Sequence, residues 1–232
     1  MKRYLVMCAA ALMLAVLSGC AAIRPMPFAQ DHERLQDKKT AIYLMTVSME
    51  NKLRTGFQPR LNGAQLARKT ADGKWQLLGY NVDVGSLYED KSVPSERSVA
   101  VRMDLEPGEY ELRSLVASSY AVITNATFIA PTYVPFRVSA QRGVFYMGNV
   151  RATLRERKAG DLPAGPVVPI IAQEVSGAAG GSFDVVVSDR QRVDEAMFRA
   201  QYPALGTEPI RPALLPPYSR ARALQRAAEE QQ

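Results

Sequence analysis

From residue 40 onward the apolar positions fall into short runs, many with a period of two. That is the spacing of a strand with one face on a core and the other in water. Val99, Val101, Met103 and Leu105 alternate with Ser98, Ala100, Arg102 and Asp104. Glu106-Pro107-Gly108 turns the chain, and Tyr110, Leu112 and Val116 continue one face of the next strand, with Glu109, Glu111 and Arg113 outward. Residues 41–49 are almost continuously apolar, as expected of a central strand covered on both faces. Residues 57–69 and 75–80 predict a hairpin about Ala71-Asp72-Gly73, where Asp-Gly supplies a positive φ.

The pattern continues with strands over 120–129 and 133–139, the second limited by Pro131 and Pro135 to an edge or a bulge. A strand over 144–154 is expected to share Val144, Tyr146, Val150, Ala152 and Leu154 on one face, and 183–187 is a last strand. Between them, residues 157–182 are rich in Gly and Pro and read as a long loop enclosing a short strand at 167–171. At Ser188 or Asp189 the period changes to that of a capped helix, with Gln191 placed for a capping box and Val193, Met197 and Ala200 as its apolar stripe. Beyond Tyr202-Pro203, four prolines and a weakly amphipathic end (203–232) predict a flexible Pro-rich tail. The expected fold is mainly β: an antiparallel β-sandwich of seven to nine strands over residues 40–202, closed by one C-terminal helix.

The N-terminus follows another pattern. Lys2 and Arg3 precede an apolar run over 4–17, which is shorter than a membrane span, and Leu17-Ser18-Gly19-Cys20 ends it. This layout resembles the signal peptides of bacterial lipoproteins. The resemblance implies cleavage between Gly19 and Cys20, acylation of Cys20, and attachment to a bilayer. Ala21, where retention signals of enteric bacteria carry Asp, points to the periplasmic side of the outer membrane of a Gram-negative cell. Residues 20–39, with Pro25, Pro27 and a polar run, read as the acylated cysteine and a tether.

Removal of residues 1–19 takes Cys8 with it and leaves Cys20 as the one mature cysteine, so no disulfide or thiolate metal site is expected. The formal charge of +6 falls to +4 with the loss of Lys2 and Arg3. The basic residues are dispersed, with Arg151, Arg155, Arg157 and Lys158 the densest group, read as a solvated loop; no nucleic-acid partner is expected.

Candidate chemistry is sparse. The single histidine, His32, lies in the expected tether, where no catalytic geometry is held. Asp184, Asp189 and Asp194 form the best carboxylate group, yet each has a structural role available: an outward strand position, a helix cap and a first helical turn. Gly177-Ala-Ala-Gly180-Gly181 precedes a strand and lacks the Lys-Ser/Thr of a phosphate loop. Trp75, Tyr80 and Tyr88 could present a ligand or partner surface.

Leu105 to Leu112, with Val138 to Tyr146, resembles the prealbumin-like and carboxypeptidase-regulatory-like domains found in many bacterial lipoproteins. The resemblance implies a binding or assembly module, Ig-like in architecture. The expected protein is therefore a non-enzymatic, lipid-anchored interaction or structural module of the cell envelope. It takes no cofactor or metal, and it meets a protein partner through loops 81–96 and 157–182 and the tail. The alternatives are a small-ligand or peptidoglycan-binding lipoprotein and, behind it, a carboxylate hydrolase.

Overall fold

The computed structural model describes residues 22–28, 34–35, 40–82, 87–89, 97–121, 124–168 and 170–230, with backbone alone at 22, 87–89, 97, 121 and 124. Eleven strands are described: β1 (Ala22–Arg24), β2 (Ala41–Asn51), β3 (Arg60–Lys69), β4 (Trp75–Asn81), β5 (Leu87–Glu89), β6 (Arg97–Leu105), β7 (Gly108–Ala121), β8 (Thr124–Val138), β9 (Val144–Glu156), β10 (Gly181–Ser188) and β11 (Ile210–Pro212). With them stand helices α1 (Ile171–Val175), α2 (Gln191–Gln201) and α3 (Arg220–Glu229), and a 3-10 turn over Pro203–Leu205. Among the described residues no helix is long and apolar enough to cross a membrane.

The strands form two sheets, β1-β4-β3-β7-β8 and β10-β9-β2-β6-β5, with β11 also paired to β9. One apolar cluster draws on the facing sides of both. Tyr43 stacks on Phe145 at 5.1 Å and leans on Phe136 of the opposite sheet at 6.5 Å, while Phe128 and Phe183 meet edge-on at 6.5 Å. The Tyr80 hydroxyl crosses between sheets to donate to the Asp104 carbonyl at 2.8 Å. The sheets are mixed rather than antiparallel throughout: β1 on β4, β2 on β9 and β11 on β9 are parallel pairs. The β2–β9 pair follows from the unbroken apolar run in β2, the mark of a strand buried on both faces. Met45 and Val47 fill the inner core, and Ile42 and Leu44 lie in a second cluster with Met197 and Phe198 of α2. Burial of Met197 and Phe198 contributes about 1.5–3 kcal/mol each.

Three expectations about local pattern are corrected. In β9 the face switches at Gly148. Val144 and Tyr146 lie in the cluster under α2, whereas Phe145, Met147, Val150, Ala152 and Leu154 face the inner core. Gly148 has φ +110 and the β2–β9 register shifts between Leu44 and Thr46, so an inserted residue changes the parity of everything after it. In α2 the buried stripe is Asp194, Met197 and Phe198, and Val193 is 44 % exposed, because a buried carboxylate rather than Val193 faces the sheet. The two strands expected over 120–129 and 133–139 are one, β8, at the sheet edge; it carries an extra residue between Pro131 and Val134 opposite Leu112–Ser114, where Tyr133 takes φ +46.

Both chain termini depart from the expected tether and tail. Residues 22–24 form β1, Met26 joins the main core, and Phe28 packs in the cluster under α2. Buried Arg102 ties this strap down by donating from Nε to the Pro27 carbonyl at 2.7 Å; it also bonds the Tyr202 hydroxyl and lies 4.0 Å from that ring's centre. The segment after Pro203 is likewise ordered. It pairs as β11, runs on with Ala213 N–H to the Tyr146 carbonyl (2.8 Å) and Leu215 N–H to the Met147 carbonyl (2.9 Å), and ends as α3 against the outer face of the five-stranded sheet. Its prolines prevent a long helix, but they leave enough N–H groups to extend the sheet.

Candidate functional site

Four side-chain clusters and one exposed apolar end stand out among the described residues. Beneath α2, Asp194 is 5 % exposed. Its Oδ2 accepts from Thr46 Oγ1 and from the Tyr146 hydroxyl, both at 2.6 Å, and Asn149 Nδ2 donates to Thr46 Oγ1 at 2.8 Å. Arg190 N–H donates to the Tyr146 oxygen at 3.2 Å. Burial, and then the bond to Asp194, push the Tyr146 hydroxyl above its usual range. The carboxylate is therefore an internal acceptor that ties α2 to β2 and β9.

On the opposite face, Glu111 is fully buried near the start of β7. Arg226 of α3 donates from Nε to its Oε2 at 3.1 Å, and Arg113 Nε lies 3.1 Å from Oε1. Arg226 also pairs with Glu229 and sits 5.6 Å above the Trp75 ring. Arg113 pairs with Glu230, whose other oxygen accepts from the Tyr133 hydroxyl at 3.0 Å. A third cluster joins loop, sheet and tail. Arg155 bonds Asp161 (2.7 Å) and Asp184 (3.0 Å), and Arg220 bonds the same two carboxylates. Arg155, first, and the Lys158 N–H hold the Asp161 carboxyl well below the usual range. The fourth is the Arg102–Tyr202–Pro27 group already described.

The sequence candidates do not converge. Asp184 is in the arginine cluster and Asp194 under α2, while Asp189 Oδ1 accepts from the Gln191 N–H at 2.9 Å as a turn cap. No capping box forms, because the Gln191 side chain donates instead to the Ile210 carbonyl at 2.7 Å. Arg155 of the basic group is a strand residue in an ion cluster, not part of a solvated loop. Tyr80 is wholly buried, and Trp75 lies on the other face of β4 under Arg226; they cannot form one surface. Tyr88 is in β5 of the other sheet, where backbone alone is described. Gly181 serves packing: a Cβ there would meet the Gly177 carbonyl and Leu154 Cδ1 at 2.6 Å. Cys20, Gly19 and His32 lie outside the described residues. Among the described residues no group of three or more His, Cys, Asp or Glu is placed to hold a metal ion.

The remaining feature is apolar and exposed. Val167 (62 %), Val168 (38 %), Ile170 (49 %) and Ile171 (67 %) lead into α1, where a strand was expected. Helix α1 is pinned to β8 by Gln173, whose amide oxygen accepts from Thr127 N–H at 2.8 Å and whose Nε2 donates to the Thr127 carbonyl at 3.1 Å. Thr127 faces Ser118 across the β7–β8 hairpin, and Tyr120, two residues further toward its tip, is 71 % exposed. One end of the body thus carries five exposed large apolar side chains. The signal in the sequence was a cluster of aliphatic residues inside a Gly/Pro-rich loop, which period alone could not separate from a strand. Comparison with protein-family models, with curated proteins and with solved structures finds no match for this chain.

Proposed function

We propose that this protein is a non-enzymatic lipoprotein, held by acylated Cys20 on the periplasmic side of the outer membrane, whose folded body is an interaction module. The two sheets sharing one core support a β-sandwich for that body, and the parallel β2–β9 pairing is its departure from an all-antiparallel prealbumin-like plan. The observation that carries the reading is the exposed apolar end formed by Tyr120, Val167, Val168, Ile170 and Ile171. A singly exposed apolar residue needs no explanation, but five brought to one end of the body by the Gln173–Thr127 bonds and the β7–β8 register suit a contact surface. The buried ionisable groups, by contrast, are engaged in holding helices and termini to the sheets.

Two experiments test it. Palmitate labelling is expected in the native chain and abolished by Cys20→Ser; unchanged labelling overturns the anchor. A photo-crosslinking residue at position 168 in intact cells is expected to give a discrete adduct that the same residue at exposed Lys74 does not give. Equal adducts or none at position 168 overturn the interaction surface.

A further inference from the structure

The folded body begins almost at the cysteine. Ala22, Ile23 and Arg24 pair in parallel with Leu78, Gly79 and Tyr80 at the outer edge of the five-stranded sheet. Met26, Pro27 and Phe28 follow as buried residues, and Arg102 fixes the Pro27 carbonyl. Only Ala21 stands between Cys20 and Ala22, so their Cα atoms are at most ~7 Å apart. A lipid chain on Cys20 has no spacer through which the body could swing away.

We propose that the lipid on Cys20 seats the β1–β4 edge directly on the bilayer surface and turns the apolar end at Tyr120 and Val167–Ile171 away from it. The proposal rests on the anchoring reading above and adds the orientation.

Register supplies the geometry. Ala22, Leu78, Leu66 and Leu112 form one row across β1, β4, β3 and β7. Tyr120 is eight residues further along β7, about 27 Å by strand rise, and three strand spacings from β1, about 14 Å. The seat and the apolar end are thus about 30 Å apart, diagonally across the sheet. Because β1 is parallel to β4, the chain enters from the Trp75 side, and Trp75 precedes Leu78 by three residues, about 10 Å. Lys74 pairs with Asp72 at 3.3 Å, Lys69 and Arg137 share Glu109, and Arg24 lies in β1 itself, so the corner carries a net positive charge. Seating is therefore expected on zwitterionic bilayers through the lipid and more tightly on anionic ones.

Trp75 is the only tryptophan of the chain, which makes it the reporter. Acylated full-length protein is reconstituted into phosphatidylcholine vesicles whose acyl chains carry bromine close to the headgroup. The native chain is compared with the variant Trp75→Phe/Val168→Trp, and with Trp75→Phe/Ile171→Trp in case the first fails to fold. Trp75 emission is expected to lose a large part of its intensity relative to unbrominated vesicles, and emission from position 168 or 171 to be unchanged. Flotation with the vesicles, against a Cys20→Ser control, reads anchoring separately. Protein that does not float overturns the anchor and this proposal with it. Protein that floats with Trp75 unquenched, or with position 168 or 171 quenched as strongly as Trp75, overturns the orientation alone.

Discussion

Replacing Arg226 with alanine tests whether the C-terminal helix is a fixed part of the fold. Its partner Glu111 is wholly inaccessible, and the Arg226 side chain itself is only 15 % accessible, so the pair is not an ordinary surface bridge. Breaking a buried pair by removing one partner costs about 3–5 kcal/mol, because the remaining charge is left without compensation. Here Arg113 still faces the other carboxylate oxygen at 3.1 Å, which reduces the loss. The contact of the guanidinium with Trp75 adds about 0.5–1 kcal/mol. The expected destabilisation is about 2–4 kcal/mol, or a fall in Tm of about 5–15 °C for a protein of this size. Urea unfolding followed by far-UV circular dichroism gives the free energy, and Trp75 emission reports the loss of the overlying cation in the same sample. A loss below about 0.5 kcal/mol with unchanged emission would match a solvent-screened pair and refute the buried-clasp argument.

Three other outcomes follow from the same contacts. Asp194→Ala removes the acceptor of two buried hydroxyls and is expected to cost about 2–4 kcal/mol, with Asp194→Asn costing less; equal losses in urea titrations would count against the network. Gly148→Ala places a Cβ 3.1 Å from the Ser188 carbonyl at φ +110 and is expected to lose about 1–3 kcal/mol, read as a shift in urea midpoint without change in slope. Because Arg155 depresses the Asp161 carboxyl, its stabilisation is complete above the ordinary value of about 4 and is lost as pH falls toward the depressed one. Asp161→Asn should therefore flatten the acid limb of a stability–pH profile, and an unaltered limb would contradict the assignment.

The fold was legible wherever one residue decided one local event. Alternation marks β6 and β7 as strands, although the second face of β6 is not solvated as expected: Ser98, Ala100 and Arg102 are buried on the side of the N-terminal strap and α2. The unbroken run marks β2 as covered on both faces, and Asp72-Gly73 marks the β3–β4 turn, where Gly73 takes φ +82. The errors have a common cause: a distant partner changed the value of a local signal. Gly148 inverts the faces of β9 only because β2 and β10 flank it, and Asp194 outranks Val193 on α2 only because Thr46 and Tyr146 wait beneath. The tail reads as disordered because its apolar content is low, yet what docks it is a buried carboxylate near the start of β7. Glu111 fits the alternation of its strand as an outward residue, and nothing near it in the chain says that a helix more than a hundred residues later will cover it.

That pattern bears on function as much as on fold. Arg102 holds the N-terminal strap, Asp194 holds α2, Asp161 and Asp184 hold the approach to α3, and Glu111 holds α3 itself. Arg102, Asp194 and Glu111 are buried polar groups whose net contribution to stability is small for their desolvation, but which specify one arrangement of a terminal segment over others; Asp184 is exposed and adds to the Asp161 cluster from the surface. Such devices make sense if the ends of the chain must be fixed relative to the sheets. Under the proposed anchoring, the N-terminal end is where force and orientation enter from the lipid. A rigid body of about 30 Å then carries that orientation to the apolar end. A long tether would have made the position of that end immaterial; the single residue between Cys20 and β1 makes it the property on which the proposed function depends.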